Sequence, residues 1–167
     1  MKLLVMSDSH SSLEHMLIAT EKTKPDAIVH LGDHINDAKS LKQRFPDIPF
    51  YMVIGNMDFG APGDVELFLT IDGVNILVTH GHIYGVKEGF DRLVERAQGV
   101  GADVVLYGHT HQLSLREEQG RTFLCPGQMQ HHFSVVPASF GIVNIENGSF
   151  QCSIEKLELE AKEERQR

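Results

Sequence analysis

Gly108-His109-Thr110-His111 follows directly on the strand-like run Asp103-Val104-Val105-Leu106-Tyr107. Two imidazoles one residue apart at the end of a buried strand pack badly in a core but make a good pincer for a divalent cation. The same arrangement recurs along the chain. Lys2-Leu3-Leu4-Val5-Met6 leads into Ser7-Asp8-Ser9-His10, and Asp26-Ala27-Ile28-Val29-His30-Leu31 leads into Gly32-Asp33-His34. Phe50-Tyr51-Met52-Val53-Ile54 leads into Gly55-Asn56-Met57-Asp58, and Val74-Asn75-Ile76-Leu77-Val78-Thr79 leads into His80-Gly81-His82.

In an open α/β sheet, ligands bind just beyond the carboxyl ends of the strands, so these loops can converge on one point. Their donors are imidazoles and Asp or Asn oxygens, with no cysteine among them. Such a set favours Mn²⁺, Fe²⁺ or Zn²⁺ over an iron–sulfur cluster or a structural thiolate site. The donors exceed what one ion needs. A carboxylate can bridge two ions about 3.5–4 Å apart, the arrangement used by phosphatases and nucleases, so the reading is a dinuclear site.

The ordered set Asp8-x-His10, Gly32-Asp33, Gly55-Asn56-x-Asp58, His80-Gly81-His82 and Gly108-His109-x-His111 resembles the signature of the calcineurin-like metallophosphoesterases. It is most similar to their small, single-domain YfcE-type phosphodiesterases, over Met1 to Val143. The resemblance implies two divalent metal ions, manganese first and iron, nickel or zinc as alternatives. Asp8, His10 and His111 would hold one ion; Asn56, His80 and His109 would hold the other; Asp33 would bridge both. It also implies a hydroxide activated between the ions, in line with the leaving group of a phosphodiester, so that Asp33 and Asn56 serve the reaction as well as the metals. Phosphomonoesterase activity on the same site is the alternative. A third reading is a non-catalytic metal-binding scaffold, as in the retromer subunit of similar fold. Every ligand position is filled here, which favours the enzyme.

One position departs from the pattern. Many relatives carry histidine after the metal-binding asparagine, and small members often carry cysteine; this chain has Met57. A thioether has no proton to give to a leaving oxygen, a function worth roughly 10²–10⁴-fold where it operates. His82 is the candidate to supply the proton instead, with an orienting hydrogen bond to a ligand as its other reading. Asp58 is expected to hydrogen-bond a neighbouring loop or ligand. His34 stands at the mouth of the site as a candidate substrate contact. His15 and His30, inside apolar patterns, read as structural residues. His131-His132, after Cys125-Pro126-Gly127, reads as an exposed or interface loop.

To hold such loops the chain needs alternating strands and helices. Ser11-Ser12-Leu13-Glu14 opens a helix through Thr23, Asn36-Asp37-Ala38 opens a second before Phe45-Pro46, and a third spans Glu88 to Gln98. Asp72-Gly73 and Glu146-Asn147-Gly148 mark hairpins joining Val65–Ile71 to Val74–Thr79 and Ser139–Ile145 to Phe150–Leu157. The predicted class is α/β, a four-layer α/β/β/α sandwich of two mixed β-sheets, which is the fold of the resembled family. With 167 residues, the chain suits one domain over residues 1–157 and a charged tail over 158–167.

Lys and Arg number 15 against 23 Asp and Glu, a formal net charge of −8. No basic run interleaves with aromatics, so attraction to duplex nucleic acid is not expected, and a small phosphoester suits the site better. Self-association into a homo-oligomer is left open. Cys125 and Cys152 lack metal-like spacing and read as reduced, partly buried thiols, with a disulfide as the other reading. The short apolar start ending in Ser7-Asp8 lacks a signal-peptide pattern, and no membrane-length apolar span is present. A cytoplasmic protein is the expected reading.

Overall fold

Alternation along the strands decides the layering. In a computed structural model, which describes residues 1–130 and 135–158, two five-stranded mixed sheets face each other. One has the order β10-β9-β1-β2-β3 and the other β4-β5-β6-β8-β7. The first is built from β1 (Lys2–Met6), β2 (Ala27–His30), β3 (Phe50–Met52), β9 (Ser139–Glu146) and β10 (Ser149–Lys156). The second comprises β4 (Glu66–Ile71), β5 (Val74–Thr79), β6 (Val104–Leu106), β7 (Leu113–Glu118) and β8 (Arg121–Pro126).

Leu3 and Val5 of β1 and Val29 of β2 point inward, where they meet Ile76 and Val78 of β5 and Val104 and Leu106 of β6 in one fully buried cluster. Leu4, Met6 and Ile28 point to the opposite face, onto Met16 and Ala19 of α1 (Leu13–Thr23) and Leu41 of α2 (Ile35–Arg44). On the far side Leu77, Val105 and Phe123 pack against Leu93, Val94 and Ala97 of α3 (Asp91–Val100). Because side chains alternate with period two, each central strand serves two cores at once. The result is the four-layer α/β/β/α sandwich.

The parallel pairs β1–β2, β2–β3 and β5–β6 send consecutive strands in one direction and so bring their carboxyl ends to one edge. The element boundaries follow the sequence pattern closely at β1, α1, β5 and the end of α2. At α3 they do not. The helix starts at Asp91 rather than Glu88, because Gly85 to Gly89 fold into turns with Gly89 N–H bonded to the Gly85 carbonyl at 3.0 Å. The hairpin β7–β8 was not expected either. Its turn, Gln119-Gly120, has positive φ at both residues (51° and 73°), as a tight hairpin turn requires. Most of β7 is exposed, so no buried alternation advertises it.

Cys125 and Cys152 are both free thiols, on different sheets. His131-His132 and residues 159–167 lie outside the described residues. Among the described residues no helix is long and apolar enough to cross a membrane.

Candidate metal centre

The loops at the carboxyl edge are tied by backbone bonds before any side chain is considered. Asp8 N–H donates to the Gly32 carbonyl (3.1 Å), Gly108 N–H to His80 (3.0 Å) and Met129 N–H to Ser7 (3.0 Å). Such crowding explains two of the glycines. A Cβ on Gly55 would lie 2.1 Å from Asp33 Oδ1, and one on Gly108 would lie 2.2 Å from Ser7 Oγ. The loops are also wound tightly. Of the eleven non-glycine residues with positive φ among the described residues, seven are here: Asp8, His10, Ser11, Asp33, His34, His109 and His111. Left-handed backbone at non-glycine residues is uncommon and concentrates at functional sites.

Two donor groups result, each with its atoms within 4.8 Å of one another. Asp8, His10, Asp33 and His111 form one; Asp33, His80 and His109 form the other. Asp33 belongs to both. Asn56 joins the second group, with Oδ1 at 3.0 Å from His80 Nε2. All the ligand candidates read from the sequence are thus brought together. His82, in a 3₁₀ turn (His82–Tyr84), sits beside them, its ring centroid 5.3 Å from that of His80 and 6.2 Å from that of His109.

Donor chemistry tests whether these residues suit a cation. His80 is fully buried and its Nδ1–H donates to the Leu31 carbonyl at 2.7 Å. A neutral imidazole so oriented, the form a metal ligand takes, aims its Nε2 lone pair at Asn56 Oδ1, at Asp33 Oδ2 (3.5 Å) and at Asp8 Oδ1 (4.0 Å). Lone pair then faces lone pair. Among the described residues His10 Nε2 is buried with no hydrogen-bond partner, and buried Asp8 Oδ1 has an ion-pair contact with His111 Nε2 at 3.0 Å. An unpaired buried polar atom such as His10 Nε2 costs about 1–3 kcal/mol. A cation at each group removes the conflict, and the nitrogen–oxygen donor set fits Mn²⁺, Fe²⁺ or Zn²⁺.

The electrostatics point the same way. Burial opposes the Asp8 charge, but His111, His80 and Ser7 outweigh it and hold its carboxyl at about 2. Burial, with help from His80 and Lys87, pushes His109 down to about 4, and burial also lowers His10 and His82. Contact with Asp8 raises His111.

A surrounding shell of hydrogen bonds holds the donors in place. Asp58 Oδ2 accepts from Asp33 N–H (2.9 Å) and Gly55 N–H (2.8 Å), and its Oδ1 accepts from Ile35 N–H (2.8 Å). It locks two ligand loops to the start of α2, in line with the loop-tying expected of it. Met57 contributes through its backbone, whose N–H donates to Asp33 Oδ1 at 2.9 Å, while its side chain is half exposed. His30 is structural in a specific way. Its Nδ1 accepts from Gly32 N–H (3.2 Å), its Nε2 contacts Ser9 Oγ (3.2 Å), and the Ser9 hydroxyl donates to Asp37 Oδ2 (2.8 Å). Sequence reasoning missed Ser9 and Asp37 in this chain of bonds; neither has a periodic or motif signal. His15 donates through Nδ1 to the Met129 carbonyl at 2.9 Å. His34 stacks edge-on to His10 at 4.7 Å at the site mouth. The group that orients His80 is Leu31, not His82.

A two-sheet α/β sandwich with paired donor clusters at one strand edge defines a class of metal-centred phosphoesterases. The sequence profile of the calcineurin-like phosphoesterase superfamily domain matches residues 1–148, and the chain belongs to that superfamily. It is 33% identical to the probable metallophosphoesterase YsnB of Bacillus subtilis over 150 residues, covering 88% of this chain and 86% of that one. It is 26% identical to the phosphodiesterase MJ0936 of Methanocaldococcus jannaschii, covering 90% and 97% of the two chains. A predicted phosphoesterase from Streptococcus pneumoniae superposes with a TM-score of 0.78 at 28% identity, covering 93% of this chain and 88% of that one.

Proposed function

We propose that the protein is a metal-dependent phosphodiesterase whose two divalent ions, manganese in first place, are held by Asp8, His10 and His111 on one side and by Asn56, His80 and His109 on the other, with Asp33 spanning both. The observation that carries this reading is the shared membership of Asp33 in both donor groups. Two cations there would supply Lewis-acid polarisation of a phosphoryl group and activation of water for attack.

The chain's own residues set the geometry. Leu31 fixes the His80 ring, Asp58 fixes the backbone of Asp33, and Met57 N–H holds one Asp33 oxygen so that the carboxylate keeps its orientation. His82, the candidate proton donor to the leaving oxygen, stands beside His80 and His109 with no hydrogen-bond partner on its Nδ1 among the described residues. Phosphodiester specificity is supported by the name of the Methanocaldococcus relative.

The test combines metal analysis with a substrate screen. Two ions per chain under saturating Mn²⁺, together with chelator-sensitive hydrolysis of bis-aryl phosphodiesters faster than of aryl monoesters, are expected. One ion at saturation removes the dinuclear arrangement. A faster monoester makes the protein a phosphomonoesterase, and a metal-loaded chain that hydrolyses neither is a scaffold.

A further inference from the structure

Two imidazoles of the donor cluster are held in different ways. The His80 ring is aimed by its own hydrogen bond, Nδ1–H to the Leu31 carbonyl at 2.7 Å. The His10 ring has no such bond among the described residues. Its Nε2 is buried, unpaired and 4.0 Å from Asp8 Oδ1, and its ring neighbours are His34 at 4.7 Å and His111 at 5.4 Å. Where His10 points is therefore set by its backbone, which is left-handed at His10 and at Ser11, with φ of 41° and 69°. That conformation is unfavourable at a non-glycine residue and persists only where the surroundings hold it.

Asp37, in the first turn of α2, supplies that hold. Its Oδ2 accepts from the Ser9 hydroxyl and from the Ser11 N–H, each at 2.8 Å, so one carboxylate oxygen grips the loop on both sides of His10. His30 settles which way the Ser9 hydroxyl points. Gly32 N–H donates to His30 Nδ1 at 3.2 Å, which leaves the ring proton on Nε2, and Nε2–H donates to Ser9 Oγ at 3.2 Å. The one proton of the hydroxyl is then free for Asp37. Burial pushes His30 down to about 4, so the ring stays neutral and the direction of the line is kept. At its other end the line reaches Gly32, the residue before Asp33, so the bonds that hold His10 run on to the loop of the shared donor.

We infer that Asp37 is a positioning residue of the metal centre, clamping Ser9 and Ser11 so that His10 is presented to a cation together with Asp8 and His111. The inference rests on the metal-dependent phosphodiesterase reading above. Asp37 belongs to neither donor group and acts through His10. A brace one step removed from a ligand is worth about 10–100-fold in ion affinity.

Zinc titration of ¹⁵N-labelled protein, read separately at the ring signals of His10 and His80, tests the clamp. Asp37→Ala and Ser9→Ala should each weaken zinc binding at His10 at least about tenfold and leave binding at His80 within about threefold of wild type. Asp37→Asn, whose amide oxygen can still accept from Ser9 and Ser11, should restore most of the loss. In the metal-free protein the Ser11 amide should exchange with solvent at least about tenfold faster in Asp37→Ala than in wild type, and the His30 ring should carry its proton on Nε2. Thr20→Val serves as the stability control, since it removes a buried hydroxyl that donates to the Met16 carbonyl within α1 at 2.7 Å. It should lower the melting temperature and move neither ring's affinity. Unchanged zinc binding at His10 in Asp37→Ala and Ser9→Ala, or an equal loss at both rings, overturns the inference. If the wild type takes up no zinc, the phosphodiesterase reading fails by itself; the hold of Asp37 on the His10 loop then stands if Ser11 exchange quickens in Asp37→Ala and falls if it does not.

Discussion

The two halves of the donor cluster differ in charge more than in shape. On the Asp8 side a carboxylate with no exposure stands with His10 and His111; on the His80 side the third donor is the neutral, exposed amide of Asn56. Asp33 contributes to both, so the contrast rests on Asp8 against Asn56. A buried anion attracts a cation far more strongly than an amide dipole does. The His80 side compensates by preorganisation, since Leu31 fixes the ring that carries its principal nitrogen. If each half holds an ion, as proposed, the Asp8 half is expected to retain its ion and the Asn56 half to exchange it.

Breaking the shared residue should have the largest effect. Asp33→Asn removes the charge common to both halves, so ion occupancy falls in both and diester hydrolysis drops at least about 1,000-fold, roughly 4 kcal/mol of barrier. Metal analysis alongside the rate measurement checks it; full occupancy in this variant would separate Asp33 from metal binding. Next in size is the pair His80→Ala and His10→Ala. Each should empty mainly its own half, and His80→Ala should lower the rate about 100-fold. Loss of both ions from either variant would show that the halves are not independent.

Chelator titration sharpens the contrast without disturbing the fold. Two steps of ion release are expected, separated by at least about tenfold in affinity, with the Asn56 half emptying first. Asn56→Asp supplies the missing charge, so the steps should merge. Release in a single step from the wild type would contradict the assignment. The smallest effect concerns leaving groups. With a half-exposed thioether at Met57, the rate should depend steeply on leaving-group pKa, and Met57→His should flatten that dependence and help alkyl esters first. A shallow dependence in the wild type, made steep by His82→Ala, would assign the proton to His82.

Most of the donor residues were legible because they follow buried strands, where polar side chains have no structural reason to be; Asn56 follows the half-buried β3. The layers were legible for the same reason, as in the alternation Leu3-Leu4-Val5-Met6, which feeds two cores in turn. What escaped was contact between distant segments with no local signature. Ser9, His30 and Asp37 form one line of hydrogen bonds from three separate elements. The β7–β8 hairpin escaped because its outer strand buries almost nothing.

The left-handed winding of the ligand loops has a consequence for how this protein tolerates change. Each of those seven residues holds a conformation that costs on the order of 1–3 kcal/mol outside glycine, and the packed layers beneath keep them there. The site edge therefore behaves like a loaded spring clamped by Val5, Leu31 and Leu106. Glycine at His34, which belongs to neither donor group, would relax the spring and give a sturdier protein. At His111 the same relief would cost a donor. Robustness and reactivity are opposed residue by residue along this edge, and variants selected for heat resistance alone would drift toward an unstrained edge less able to grip metal.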